Sequence, residues 1–288
     1  MKKSPMFGKL TVLGTGLLGA SLMQAAKARG LCQQALAWSR RPETRLKCEQ
    51  QSWCDGVYPT ASEAVADADL VVLAVPVINI VPLLEEIAPA LKAGALVTDV
   101  GSTKSLICRH GNAAMPERAT FVGSHPMAGS EKAGLEFASE TLFEKRACFV
   151  TPLVDTPAPA VEKILRFWRE LGMEVATTTP ETHDEIVAHI SHLPHILASV
   201  LCETLAAKDP AWRNYAGNGL RDTTRIAAGD PHLWKAILLE NREEILRAMA
   251  GFEEHWQQMR AAVANNDPFA IVNLLEKGKA YRDAVRND

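Results

Sequence analysis

The sequence predicts an α/β amino-terminal part built on a parallel sheet, followed by an all-α carboxy-terminal part. Three observations carry this. Short β-rich apolar runs alternate with helical patterns through residues 173–177, as parallel strands joined by crossover helices require. A glycine-rich turn, Gly14-Thr15-Gly16-Leu17-Leu18-Gly19, stands between the first such run and the first helical pattern. After Pro180 the strand-like runs stop and only helical periodicity remains.

Taken in order, strands are expected over residues 9–13, 35–38, 70–74, 95–99, 120–122, 147–150 and 173–177. Helices are expected between them, among others over 19–29, 62–66 and 80–91, and the proline-rich 152–159 is a surface loop. Past the boundary, helices are expected over 182–207, over 231–265 with a break, and over 268–286. Asp230-Pro231 and Asp267-Pro268 each set a capping carboxylate before a proline in the first helical turn. The expected domains are 1–179 and 180–288. A helical part of this size commonly buries apolar faces against a second subunit, so 180–288 is expected to be a dimerisation domain in a homodimer.

The bulk properties set limits. A chain of 288 residues has room for about two domains. With 47% hydrophobic and 23% charged residues it can form an ordinary core. A formal net charge of −3 argues against nucleic acid as a partner, since such binders are strongly basic. Cys32, Cys48, Cys54, Cys108, Cys148 and Cys202 form no C-x-x-C pair, which fits single thiols in a reducing compartment. Lys2 and Lys3 precede an apolar run over 10–23, but its glycines fit a strand, turn and helix better than a leader. The apolar stretch 70–84 is interrupted by Pro76, Asn79 and Pro82 and is short for a membrane span. A cytoplasmic protein acting on a small molecule is expected, with no membrane partner.

The glycine turn gives the α/β part a Rossmann-type, dinucleotide-binding reading. Gly14 allows the tight turn, Gly16 lets a pyrophosphate approach the backbone, and Gly19 lets helix and strand pack closely. Thr15, Leu17 and Leu18 complete the loop, and the helix N-terminus offers N–H groups to phosphate. After the second strand an NAD enzyme usually carries an acid for the ribose hydroxyls. Here the run is Ser39-Arg40-Arg41, with no acid. Ser39 and Arg40 suit a 2′-phosphate, with Arg41 assisting or solvated, so NADP is favoured over NAD. Val75-Pro76 ends the third expected strand and shapes the turn over the cofactor.

The chemistry points to Gly123-Ser124-His125-Pro126-Met127-Ala128-Gly129-Ser130-Glu131-Lys132. It sets an imidazole on a glycine-bounded turn. An imidazole with a pKa near 6.5 is largely neutral at cell pH and can accept an alcohol proton. Ser102, after Asp99-Val100-Gly101, also follows a strand end, so it can meet His125 beside the nicotinamide. The segment His189-Ile190-Ser191-His192-Leu193-Pro194-His195 has no H-E-x-x-H spacing and no cysteine cluster, so no metal site is expected.

These blocks, together with Gly219-Leu220-Arg221-Asp222-Thr223-Thr224-Arg225-Ile226, give the chain a resemblance over nearly its whole length to the TyrA family of prephenate and arogenate dehydrogenases. The resemblance implies oxidative decarboxylation in tyrosine biosynthesis, with hydride transfer to NADP or NAD. It makes His125 the catalytic base and Ser102 the group bonding both that imidazole and the substrate hydroxyl. It makes Arg225 a carboxylate clamp, since a guanidinium forks onto a carboxylate. Arg221, four residues earlier, shares that helical face. Ser191 and His195 line the substrate pocket. Ser130 is a further substrate contact, and Glu131 either pairs with Arg221 or gates the pocket. His183 is expected to be local to a helix start, His189 to pack between domains, and Trp234, Trp256 and Met249 to be core or interface. No added regulatory or mutase domain is expected. A β-hydroxyacid dehydrogenase and a non-catalytic nicotinamide-sensing module are the competing readings. The first typically relies on a lysine in its helical domain, and the second needs no convergence of Ser102, His125 and Arg225.

Overall fold

Strand β4 (Leu70–Leu73) shows why a parallel sheet forms. All four of its residues are buried. Leu70 and Val72 join one apolar cluster, while Val71 and Leu73 join another. A strand covered on both faces needs an unbroken apolar run, and helices on each side supply the cover. The structure is a computed structural model and describes residues 4–129, 132 and 134–285.

The first half runs β1 (Phe7–Leu13), α1 (Leu17–Ala28), β2 (Cys32–Trp38), α2 (Pro42–Glu49), β3 (Gly56–Val57), α3 (Ala61–Val65), β4, α4 (Ile80–Ile87), β5 (Ala95–Asp99), α5 (Ser105–Ala114) and β6 (Ala119–Phe121). These strands form one parallel sheet in the order β3-β2-β1-β4-β5-β6. The order reverses direction between β1 and β4, which opens a crevice at their carboxyl ends.

A second sheet follows. It holds β7 (Gly123–Pro126), β8 (Ala147–Thr151) and β9 (Glu174–Thr177), with α6 (Ala158–Glu170) between the last two. β7 runs antiparallel to β8, pairing His125 with Phe149. This departs from the sequence reading, which placed His125 on a turn and joined all strands in one alternating pattern. Ser124 explains the difference. Its backbone N–H donates to Asp99 Oδ1 at 3.0 Å, and its hydroxyl shares a hydrogen bond with Thr98 Oγ1 at 2.8 Å. The end of β5 therefore straightens Gly123–Pro126 into a strand that β8 can pair.

Beyond β9, α7 (Pro180–Val187) and α8 (Leu193–Ala206) form one helical run through a π-turn at Ala188–His192. Pro194 lacks an N–H and would crowd the carbonyl four residues back, and a wider turn relieves this without a break. Pro180–Ala206 is long and apolar enough, by length and composition alone, to cross a bilayer. It buries His183, Asp184, His192 and His195, and polar groups from other elements, two side chains and a backbone N–H, bond three of these within the same compact unit. One face of the run is therefore packed inside this unit. α9 (Asn218–Thr224) and α10 (Pro231–Glu240) complete the first unit, Met1–Asn241.

The second unit, Arg242–Asp288, contains α11 (Arg242–Ala264) and α12 (Pro268–Ala284). Asp267 caps α12 by accepting from Ala270 N–H at 3.0 Å. The expected break within 231–265 falls at Asn241, whose side chain leaves the helical path to bond elsewhere.

Candidate active site

Three glycines do three different jobs. Gly14 has φ +98°, and a Cβ there would lie 2.4 Å from the Ala74 carbonyl oxygen, so the turn admits no side chain. A Cβ at Gly19 would lie 1.9 Å from the Gly14 carbonyl oxygen, so α1 can pack on β1 only without one. A Cβ at Gly16 would meet nothing within 4 Å. Gly16 is the N-cap of α1 and no side chain caps that helix, which leaves its first N–H groups for an anion.

This loop opens onto a cleft of about 630 Å³ lined by Gly14, Thr15, Gly16, Ser39, Arg40, Arg41, Val75 and Pro76. Leu17 is buried and Leu18 packs on the core, so neither side chain lines the cleft. The loop Gly134–Glu136 closes another wall, and Glu86, Thr44 and Lys47 add polar groups. An open glycine cradle, a bare helix N-terminus and cations at the end of β2 fit a dinucleotide. Thr44 and Lys47 were not foreseen. They lie on α2, which the sequence reading had not drawn. Arg45, on the same helix, donates from Nη1 to the Ser39 carbonyl at 2.6 Å and so pins the turn presenting Arg40.

A buried polar chain leads away from the carboxyl end of β5. His125 Nδ1 lies 2.9 Å from His183 Nε2, and His183 Nδ1 lies 2.8 Å from Asp184 Oδ1. Asp184 also accepts from the backbone N–H of Lys104 at 2.7 Å and of Ser105 at 2.8 Å, so it caps α5. These bonds hold its carboxyl below the usual range against the opposing effect of burial. An ionised Asp184 accepts the proton on His183 Nδ1. His183 itself is held neutral, first by burial. Its Nε2 then carries a lone pair and accepts from His125 Nδ1–H. The lone pair of His125 is left at Nε2.

The electrostatics keep that lone pair available. Burial pushes the His125 pKa well below 6.5, and the neighbouring His183, Lys104 and His192 push it the same way. Lys104 is fully buried and paired with the fully buried Asp99. Asp99 also accepts from Gly101 N–H at 2.8 Å, which fixes the loop carrying Ser102. Thr103 donates to Glu240 at 2.6 Å and ties the same loop to α10. Burial raises the Glu240 pKa, and the Thr103 hydroxyl opposes it.

On the helical side His195 stacks on Trp234, ring centroids 3.6 Å apart and planes 9° from parallel. Its Nδ1 is buried and has no hydrogen-bond partner among the described residues. His192 Nδ1 lies 3.1 Å from Asn241 Nδ2, and that amide also donates to the Asp184 carbonyl at 2.8 Å.

Several sequence expectations are corrected here. His183 is not local to its helix start but is the centre of the chain. His189 is exposed, its Nδ1 at 2.9 Å from the Glu185 carbonyl. Trp234 is half-buried and packs on one apolar cluster, as expected of core, and it also stacks on His195. Ser102 forms no hydrogen bond with His125, whose Nδ1 is taken by His183. Ser191 is half-buried in the π-turn. Arg221 and Arg225 are exposed, on α9 and on the 3₁₀ turn Arg225–Ala228 that packs on α8. Ser130 and Glu131 lie outside the described residues. Among those described, no cluster suits a metal ion.

Comparison with known proteins agrees with this geometry. Residues 24–177 match the family model for the prephenate dehydrogenase nucleotide-binding domain, and 179–277 match that for the prephenate dehydrogenase dimerization domain. The cyclohexadienyl dehydrogenase of Zymomonas mobilis is 30% identical, over 98% of this chain and 98% of its own. The prephenate dehydrogenase of Bacillus subtilis is 31% identical, over 96% of this chain and 76% of its own. The crystal structure of prephenate dehydrogenase from Aquifex aeolicus with hydroxyphenyl propionate and NAD+ superposes with a TM-score of 0.92 at 29% identity, covering 99% of this chain and 100% of that one. The chain belongs to the prephenate dehydrogenase family.

Proposed function

We propose that this chain oxidatively decarboxylates prephenate or arogenate, giving 4-hydroxyphenylpyruvate or tyrosine, carbon dioxide and a reduced nicotinamide dinucleotide. The observation that carries the reading is the His125–His183–Asp184 chain, which leaves a neutral imidazole nitrogen free to take a proton. A nicotinamide dinucleotide, when bound, supplies the hydride acceptor.

The protein supplies the rest. His125 takes the proton of the ring C4 hydroxyl at Nε2 as the C4 hydride leaves. The bond from the ring to its carboxylate breaks, carbon dioxide departs, the electron pair completes the aromatic ring, and the oxygen left on C4 takes the proton back from His125 to give the phenol. The imidazolium formed on His125 keeps its Nδ1–H on His183, and the ionised Asp184 beyond offsets its charge. Ser102 contacts the substrate hydroxyl. Arg225 clamps a substrate carboxylate, with Arg221, Ser191, His195, Ser130 and Glu131 around the remainder, and the orphaned His195 Nδ1 supports a polar ligand there. Gly14, Thr15 and Gly16, with the first turn of α1 through Gly19, hold the pyrophosphate. Val75 and Pro76 form the wall beside it.

Within this reading NADP is favoured. Arg40, Arg41 and Lys47 line the cleft, and the run Ser39-Arg40-Arg41 at the end of β2 contains no acid. The division near residue 180 separates dinucleotide binding from substrate binding and dimerisation, and the protein works as a cytoplasmic homodimer. The test is a matrix of two substrates against two cofactors, reading reduced cofactor and released carbon dioxide. Turnover of at least one substrate is expected, fastest with NADP. No turnover of either substrate with either cofactor would overturn the reading.

A further inference from the structure

His192 joins the base to the helical wall of the site, and its Nε2 has no part in the proton chain to His125. The residue is 1% exposed. His195 follows one turn later, so the two imidazoles share a helical face. Trp234 meets both rings, near-perpendicular to His192 with centroids 6.0 Å apart and parallel to His195 at 3.6 Å. On the other side, His192 Nδ1 lies 3.1 Å from Asn241 Nδ2. The same amide nitrogen donates at 2.8 Å to the carbonyl of Asp184, the residue whose carboxylate ends the chain from His125.

These two bonds fix the protons. A carbonyl only accepts, so the Asp184 contact identifies the nitrogen end of the Asn241 side chain. The second amide hydrogen points at His192 Nδ1, which accepts it with its lone pair. The ring proton of His192 therefore sits on Nε2. Burial pushes the His192 pKa down to about 4, so the ring is uncharged at neutral pH. Among the described residues no group bonds Nε2, and unlike His195 Nδ1 that nitrogen is not sealed from solvent.

An uncharged donor suits one substrate group above the others. The carboxylate on the ring departs as neutral carbon dioxide, so its charge vanishes during the reaction. A cation bonded to it would stabilise the very charge that must be lost and would slow the step. A neutral N–H orients it with a weaker hold. The side-chain carboxylate keeps its charge throughout and suits a guanidinium such as that of Arg225.

We propose that His192 donates from Nε2–H to the ring carboxylate of the substrate, and that Asn241 is the positioning residue that holds His192 in that tautomer. The inference rests on the oxidative decarboxylation proposed above and names the group that holds the departing carboxylate.

Two measurements on the full chain test it, and the first needs no turnover. Nitrogen NMR of isotope-labelled histidines, assigned by the signals lost in His192→Asn, reads the tautomer. A protonated Nε2 and a bare Nδ1 are expected at neutral pH, and the reverse would overturn the proposal. Asn241→Ala should move the Nδ1 signal, and an unmoved signal would remove Asn241 from its role.

The second measurement is kinetic. Asparagine at 192 can still accept from Asn241 but does not reach the Nε2 place, whereas glutamine reaches it with an amide N–H. In His192→Asn the KM of the substrate turned over, prephenate or arogenate, is expected to rise about tenfold or more, with kcat little changed. His192→Gln should recover most of that loss. Inhibition by the matching product, 4-hydroxyphenylpyruvate or tyrosine, should be unchanged, since it keeps the side chain but has no ring carboxylate. Equal weakening of substrate and product, weakening of neither, or a loss in kcat alone would overturn the proposal. A wild-type chain that turns over neither substrate would overturn the function itself and this inference with it, whatever the tautomer.

Discussion

His183 Nε2 accepts from His125 Nδ1 across 2.9 Å, so the tautomer of one imidazole dictates the tautomer of the other. The chain ends on Asp184, which accepts from His183 Nδ1 and from two backbone N–H groups at the start of α5. One carboxylate thus both closes a helix and aims a base.

Asp184→Asn separates these duties. An amide set with its oxygen at the Oδ1 place keeps the His183 and Lys104 bonds and loses that from Ser105, and in either setting the negative charge that faces His183 is gone. We expect kcat to fall by about 10²-fold or more, the scale of acid–base help, with KM little changed. Steady-state kinetics with saturating cofactor reads this. A kcat within twofold of wild type would detach Asp184 from the base.

The pH dependence of stability follows from the same network. Burial depresses the folded pKa values of His125, His183 and His192 below 6.5, that of His192 to about 4. The unfolded chain binds those protons first as the pH drops, so stability is full above 6.5 and declines below it toward the folded values. Asp184 has the opposite charge but the same sense. Its depressed pKa adds stability that is lost only as the pH falls through the more acidic folded value. A melting temperature that declines steadily from pH 6.5 to 4 is expected, and a flat profile over that window contradicts the assignment of buried neutral imidazoles.

The glycines allow a paired test. Gly16→Ala adds a methyl into open space, so the melting temperature of the free chain should hold while dinucleotide binding fails. Gly19→Ala drives a methyl into the Gly14 carbonyl oxygen and should cost about 1–3 kcal/mol of stability, as overpacking does. Thermal unfolding with and without dinucleotide distinguishes them. Equal loss of stability in both variants would mean that the cradle is merely a packing turn.

Arg225→Ala should act mainly on KM, by about 2–5 kcal/mol of binding if its partner carboxylate is desolvated. Kinetics across a substrate series checks it. An unchanged KM would move the clamp away from Arg225.

Much of this was legible in the sequence because local rules governed it. The buried run of β4, the Gly14–Gly19 turn and the Asp-Pro helix starts each announce themselves within a few residues. The strand β7 did not, because its straightness comes from Asp99 and Thr98, distant in the chain. His183 was misjudged for the same reason. Its partners His125 and Phe149 arrive from the second sheet. One signal was present: α5 begins at Lys104-Ser105 without a capping side chain of its own, which calls for a carboxylate from afar. Trp234 read as core by its helical spacing, and only the fold stacks it on His195.

The central claim is that His125 Nε2 receives the substrate proton. Single-turnover reduction of cofactor by prephenate, in the wild type and in His125→Asn, tests it most directly. The account predicts that the variant binds prephenate normally but reduces the cofactor ~10²–10⁴-fold more slowly. Reduction at the wild-type rate would contradict it.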